Sequence, residues 1–160
     1  MRQERVPPTT VGVVGGSGYT GVELLRILAG HDGVRVTFAT ARSEQGRPTP
    51  VPGLSYTDAR PEAVGEVDLL FLCLPHGAAV SWVEQARRVG TRVIDLTADH
   101  RPGSGREEGV VYGMAERAEA DLPAARVVAN PGCYPTGVIL GLAPCLEADV
   151  HPAAAGRDQP

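Results

Sequence analysis

Apolar positions along the chain fall into two alternating patterns: short unbroken runs, and longer stretches in which they recur every three or four residues. Residues 11–14, 34–40, 68–74, 92–97 and 126–129 are runs of strand length. The third, Asp-Leu-Leu-Phe-Leu-Cys-Leu, is apolar nearly throughout, as a strand buried on both faces of a parallel sheet requires. Between the runs, Val22, Leu25 and Ala29, then Val80, Val83 and Ala86, then the stretch from Val138 to Leu146 repeat at helical spacing. Strand alternating with helix predicts an α/β, Rossmann-type fold with a doubly wound, mostly parallel sheet. Weaker patterns predict short strands over 54–57 and 110–113, a helical turn over 61–65 and a helix over 114–121. Residues 1–10 form a polar leader, and the domain proper is expected over 11–147. The last helix is expected to lose regularity at Pro144, because proline lacks the donor that a helix interior needs. Residues 151–160 carry no large apolar side chain and are expected to be disordered.

The chemistry lies where runs of one kind give way to the other. The first run meets Gly15-Gly16-Ser17-Gly18-Tyr19-Thr20-Gly21 and then a helix. The stretch satisfies two glycine spacings, through Gly16, Gly18 and Gly21 or through Gly15, Gly18 and Gly21. In either, one glycine makes a tight turn, one lets the backbone approach a pyrophosphate, and one packs helix against strand, with the anion at the helix N-terminus. About twenty residues on, an NAD-selective site would place an acidic side chain. Arg42 and Ser43 stand there instead, suited to a 2′-phosphate, so NADP is the expected cofactor, with Glu44 adjacent. The third run breaks at Pro75-His76-Gly77, at the sheet edge where open α/β folds bind ligands. Pro75 is assigned to the cofactor site; His76 either borders it or is a loop histidine without a role. Asp95, Asp99 and Arg101 either face a substrate or hold their loop by pairing with one another.

At the fifth run, Asn130-Pro131-Gly132 breaks the strand and Pro135 suits the first turn of a helix, so Cys133 is expected at a helix N-terminus. Unpaired N–H groups and the positive end of the helix dipole stabilise a thiolate in such a position, which makes Cys133 the candidate nucleophile.

Composition narrows the class. Net charge is −4, no stretch approaches a membrane span or signal peptide, and three cysteines without a CxxC pair suit a reducing compartment. A cytoplasmic protein without nucleic-acid or membrane partners is expected, and scattered histidines suggest no metal. All fifteen basic residues are arginine. That excludes a Walker-type lysine, a Schiff-base lysine and a Tyr-x-x-x-Lys pair.

Five blocks occurring in one order, the glycine turn, Leu74-Pro75-His76-Gly77, residues 95–101, residues 112–116 and Ala129-Asn130-Pro131-Gly132-Cys133-Tyr134-Pro135-Thr136, resemble N-acetyl-gamma-glutamyl-phosphate reductase. Thr97, His100 and Ala115 depart from its usual Ser, Phe and Pro. The resemblance implies an NADP-binding Rossmann domain and a second α+β domain for dimerisation and catalysis. It also implies reduction of a small acyl phosphate in arginine biosynthesis, with Cys133 as nucleophile and Gly15, Ser17, Gly18, Tyr19, Thr20, Gly21, Arg42, Ser43 and Pro75 around the cofactor. The family's catalytic histidine has no counterpart here, so residues 148–160 are expected to begin a truncated second domain. A homo-oligomer is expected of the full-length form. A non-catalytic NADP-binding fragment and an aspartate-semialdehyde-dehydrogenase-like reductase are the competing expectations.

Overall fold

The computed structural model describes residues 7–148, so the expected disordered tail and most of the leader lie outside the described residues. The chain divides into two compact units, Met1–Asn130 and Pro131–Pro160.

In the first unit β1 (Thr9–Val14), α1 (Tyr19–Ala29), β2 (Val34–Ala39), β3 (Leu69–Leu72), α2 (Val80–Val89), β4 (Arg92–Asp95), β5 (Val110–Tyr112), the single turn α3 (Ala115–Ala118) and β6 (Val127–Ala129) follow in order. The strands make one sheet, β2-β1-β3-β4-β6-β5, in which every neighbouring pair is parallel. The chain runs outward from β1 to β2, then returns to lay β3 on the other side of β1. The order therefore reverses between β1 and β3, and in such folds ligands bind outside the carboxyl ends of the strands at that switch point.

Alternate residues of the central strands feed two cores, one on each face. Leu70 and Leu72 join Val14, Val64, Val83 and Val93 under α2, while Leu69 and Phe71 pack with Val11, Val13, Leu25 and Leu28 under α1. Burying a side chain completely, as at Val11, Leu25, Leu70 and Leu72, contributes about 1.5–3 kcal/mol. Gly12 interrupts the valines of β1 because a Cβ there would run into the Phe38 ring.

Several strands end a residue or two inside their apolar runs, as β3 and β4 do, and three elements differ in other ways. β1 begins at Thr9, two residues early, because Thr9 and Thr10 already pair with Val34 and Arg35 of β2; Thr10 also donates its N–H (2.8 Å) and hydroxyl (2.6 Å) to the Asp68 carboxylate. Residues 54–57 make only isolated bridges, Ser55 to Pro48 and Thr57 to Thr40. The helix expected over 114–121 shrinks to α3.

The second unit consists, among its described residues, of the segment leading into α4 (Cys133–Glu147). Contrary to expectation the helix runs through Pro144, which removes one donor in the closing turns without stopping it; Ala148 N–H still donates to the Pro144 carbonyl at 3.1 Å. None of its side chains is buried, and Tyr134, Val138, Leu142 and Leu146 are exposed. Among the described residues no helix is long and apolar enough to cross a membrane.

Candidate functional site

The glycine turn is built by exclusion. Gly15 has φ +81°, and a Cβ there would strike the Cys73 carbonyl of the adjoining strand. At Gly21 a Cβ would lie 2.6 Å from the Gly15 carbonyl oxygen and 2.7 Å from Gly16 Cα, so only glycine lets α1 come this close to the turn. Gly18 is different: the nearest atom to an added Cβ is 3.8 Å away, so nothing in the protein demands a glycine there. The spacing that the fold uses is therefore Gly15, Gly18 and Gly21, with Gly18 the position left open to a ligand.

Two residues without any sequence signature hold this turn from outside it. Thr40, buried at the end of β2, accepts the Gly15 N–H on its hydroxyl (3.2 Å) and the Gly16 N–H on its carbonyl (2.8 Å). Tyr56, also buried, donates its hydroxyl to the Gly16 carbonyl at 3.1 Å. Burial, and then the neighbouring Glu44 carboxylate, push the Tyr56 phenol upward in pKa, which keeps it a donor.

α1 starts at Tyr19, with Gly18 as an N-cap that offers no side-chain acceptor and no acidic residue in the first turn. Its opening N–H groups have no intrahelical partner, and an anion fits there. Ser17, Gly18, Tyr19 and Thr20 line this end, with Tyr19 fully exposed. An open glycine, a bare helix N-terminus and no competing carboxylate fit the pyrophosphate of a dinucleotide. Beyond β2, Arg42 and Ser43 are exposed, while Glu44 pairs with Arg47 at 2.7 Å.

The loops after β3 and β4 are laced together. Asp99 accepts the N–H groups of Gly77 (2.6 Å) and Ala79 (2.9 Å) on its two carboxylate oxygens, and His76 Nδ1 accepts the Ala98 N–H at 2.9 Å. Asp95, fully buried, accepts the Thr97 N–H at 2.8 Å and pairs with His100 Nδ1 at 2.6 Å, a contact that phenylalanine at 100 would lack. Arg101 donates to the carbonyls of Asn130 (2.8 Å) and Leu96 (3.0 Å). Asp95, Asp99 and Arg101 thus hold their loop, chiefly through backbone groups, rather than by pairing with one another.

Burial raises the Asp99 pKa, but the N–H groups of Gly77 and Ala79, then Thr97 and His100, outweigh it and the net shift is downward. A carboxyl depressed in the folded state contributes stability above its unfolded pKa, about 3.9, and loses it as pH falls through the folded value. Asp99→Asn is expected to cost about 1–3 kcal/mol near pH 7. Below about pH 4 the gap between variant and wild type should narrow. Thermal melts of both proteins from pH 7 to pH 3 check this; a gap constant across the series would refute it.

Cys133 belongs to the second unit. Gly132 caps α4 without a side-chain hydrogen bond, and Cys133 is the first helical residue, exposed. Thr136 donates both its N–H (3.0 Å) and its hydroxyl (2.8 Å) back to the Gly132 carbonyl, closing the turn. Pro135 has no N–H to leave unpaired. The three residues before Cys133 connect it to β6, where Asn130 N–H donates to the Asp95 carbonyl at 2.8 Å. Cys73, by contrast, is half-buried, and burial, with the Asp95 charge second, pushes its thiol up to about 12. The structure thus gathers Gly15, Ser17, Gly18, Tyr19, Thr20 and Gly21 at one turn. Pro75, exposed, follows the strand that Gly15 abuts, Arg42 and Ser43 lie beyond β2, and Cys133 lies in the other unit.

Residues 10–125 match the family described as semialdehyde dehydrogenase, NAD binding domain. Among curated proteins, N-acetyl-gamma-glutamyl-phosphate reductases from Akkermansia muciniphila, Bordetella avium and Herminiimonas arsenicoxydans are 40%, 39% and 41% identical over 86%, 92% and 90% of this chain. The chain spans about half the length of these relatives, 48% of each. Among solved structures, aspartate semialdehyde dehydrogenase II from Vibrio cholerae has the same fold with a TM-score of 0.74, at 20% identity over 88% of this chain and 43% of its own. The Candida albicans aspartate semialdehyde dehydrogenase, solved with NADP, gives 0.67 at 17% identity over 88% and 47%. With a parallel sheet reversing between β1 and β3 and a glycine cradle at that reversal, the chain belongs to the semialdehyde dehydrogenase family through its NAD-binding domain.

Proposed function

We propose that this chain is the cofactor-binding, cysteine-bearing part of an NADP-dependent N-acetyl-gamma-glutamyl-phosphate reductase. The reaction is reduction of N-acetyl-L-glutamyl 5-phosphate to N-acetyl-L-glutamate 5-semialdehyde with release of phosphate, a step of arginine biosynthesis. The observation that carries this reading is Cys133 at the first position of an uncapped helix, in a chain whose other unit is a dinucleotide-binding fold.

The Cys133 sulfur, as thiolate, attacks the acyl carbon; the carbon–oxygen bond to phosphate breaks and phosphate leaves with the electron pair, giving a thioester. When bound, the nicotinamide cofactor supplies the hydride that reduces this thioester. The N–H groups of Cys133 and Tyr134 at the bare start of α4 stabilise negative charge on the carbonyl oxygen. Collapse breaks the carbon–sulfur bond, releases the aldehyde and restores the thiolate. The resemblance implies a proton-handling histidine for which none of these residues is a counterpart. Fusing residues 1–147 to the second half of one of the matched reductases tests the assignment. NADPH-dependent turnover of the acyl phosphate at about 1 s⁻¹ or more is expected, and a folded fusion that binds NADPH but does not turn over would sink it.

The pyrophosphate would sit at the Gly18–Gly21 cradle and the 2′-phosphate against Arg42 and Ser43. Pairing of Glu44 with Arg47 supports this, since it engages the carboxylate next to Ser43 that would otherwise repel a 2′-phosphate. Arg42→Ala is expected to weaken NADPH about tenfold and NADH by less than about twofold, as loss of one charged hydrogen bond requires. Fluorescence titration with both cofactors measures it. Equal losses for the two would remove Arg42 from the phosphate site.

A further inference from the structure

We propose that His76 is a ligand of the dinucleotide, donating its Nε2–H to an acceptor oxygen of the cofactor at the crevice outside β1 and β3. The inference rests on the dinucleotide site described above and adds a residue and a tautomer to it.

The tautomer follows from one hydrogen bond. A backbone N–H only donates, so the 2.9 Å contact from Ala98 N–H makes Nδ1 of His76 an acceptor, and the neutral ring carries its proton on Nε2. Nε2 lies at the other side of the ring from Nδ1. His76 is exposed, and among the described residues no acceptor meets Nε2, so its one N–H is left for something outside the protein.

Its place follows from the sheet. Cys73 N–H donates to the Val14 carbonyl at 2.8 Å, and a Cβ on Gly15 would meet the Cys73 carbonyl and lie 3.2 Å from Leu74. The glycine turn and the end of β3 are therefore neighbours, and His76 comes two residues after Leu74. The sheet order reverses between these two strands.

Rigidity follows from the reciprocal lacing of the two loops. Asp99 fixes the backbone on the C-terminal side of His76 through Gly77 and Ala79, while Ala98, the residue before Asp99, fixes the ring. A loop histidine without a role needs no such orientation. A donor held in one rotamer and one tautomer loses little freedom on binding, which is the condition for an exposed side chain to contribute to affinity.

The test uses the 160-residue chain, ¹⁵N-labelled, with NADPH as probe. Two-bond ¹H–¹⁵N spectra resolve the ring nitrogens of the four histidines, and His76→Leu assigns the signals of His76. The free protein is expected to show Nε2 protonated and Nδ1 bare, and saturating NADPH should shift the Nε2 resonance. His76→Leu should raise the NADPH dissociation constant about fivefold, the worth of one neutral hydrogen bond. His76→Gln, whose terminal amide offers an N–H at similar reach, should recover most of that loss. A ring protonated on Nδ1, an Nε2 resonance unmoved by saturating NADPH, or an unchanged dissociation constant in His76→Leu would each overturn the inference while leaving the dinucleotide site standing. Failure of the wild-type chain to bind NADPH at all would overturn both.

Discussion

Replacing Cys133 by serine in the completed fusion is expected to lower acyl-phosphate reduction by about 10³-fold or more while leaving NADPH affinity within about twofold of wild type. Serine keeps the size of the side chain and the start of α4, so a folding defect does not explain the loss. What disappears is a sulfur nucleophile that also leaves readily from the reduced adduct; a serine hydroxyl serves in neither role without its own base. The other thiols cannot substitute. Cys73 is half-buried with its thiol pushed up to about 12, and Cys145 lies in the last turn of α4, at the negative end of the helix dipole. Iodoacetamide near pH 7.5, followed by peptide mapping, should therefore find activity lost in step with labelling of Cys133 and Cys73 protected until the protein unfolds. Retained activity in Cys133→Ser, or inactivation that tracks Cys145, would show that the chemistry lies elsewhere.

The glycine turn gives the second large effect, and two alanine substitutions should separate folding from binding. Gly15→Ala forces a left-handed backbone on a residue with a Cβ, at about 1–2 kcal/mol, and drives that Cβ into the Cys73 carbonyl, about 1–3 kcal/mol more. Against a total stability of about 5–15 kcal/mol, that should lower the melting temperature by on the order of 10 °C. Gly18→Ala meets nothing closer than 3.8 Å, and Gly18 has an ordinary extended backbone (φ −72°, ψ 165°). It should melt within a few degrees of wild type, yet bind NADPH at least about tenfold more weakly, because its methyl group would fill the space through which the pyrophosphate reaches the backbone. Wild-type affinity in Gly18→Ala would show that no phosphate approaches there, and an unchanged melting temperature in Gly15→Ala would contradict the turn as described.

The elements that the sequence made legible are those whose cause is local. Runs such as 68–74 declare a buried strand because both faces must be apolar, and the glycine turn declares itself because at Gly15 and Gly21 the backbone leaves no room for a side chain. The place of Cys133 at a helix start was legible for a similar reason, since Pro131, Gly132 and Pro135 punctuate the strand-to-helix junction within a few residues. The supporting parts were not, because their partners lie far apart in sequence. Thr40 and Tyr56 act on Gly15 and Gly16 across 25 and 40 positions, and the clasp from Asp99 reaches back 22 positions to Gly77. Periodicity carries no record of such contacts. The same limit left the roles of Asp95, Asp99 and Arg101 open until their backbone partners were in view. Pro144 illustrates the converse error, a local rule applied where the helix had few hydrogen bonds left to lose.

The position of β6 in the sheet has a consequence for how the molecule is made. β5 emerges from the ribosome before β6 yet pairs only with it, while β6 must pair with β4 on its other side. A nascent chain ending near residue 120 therefore has β4 as an open edge and β5 with nothing to bind. Closing this gap waits for β6, which pairs with two strands synthesised before it, a non-local event of the kind that slows parallel sheets. Pulse-labelling hydrogen exchange during refolding should find Val127, Val128 and Ala129 protected after the strands around β1. With that result, partly folded molecules would acquire the cofactor cradle before they acquire the strand that delivers the chain to Asn130 and Cys133.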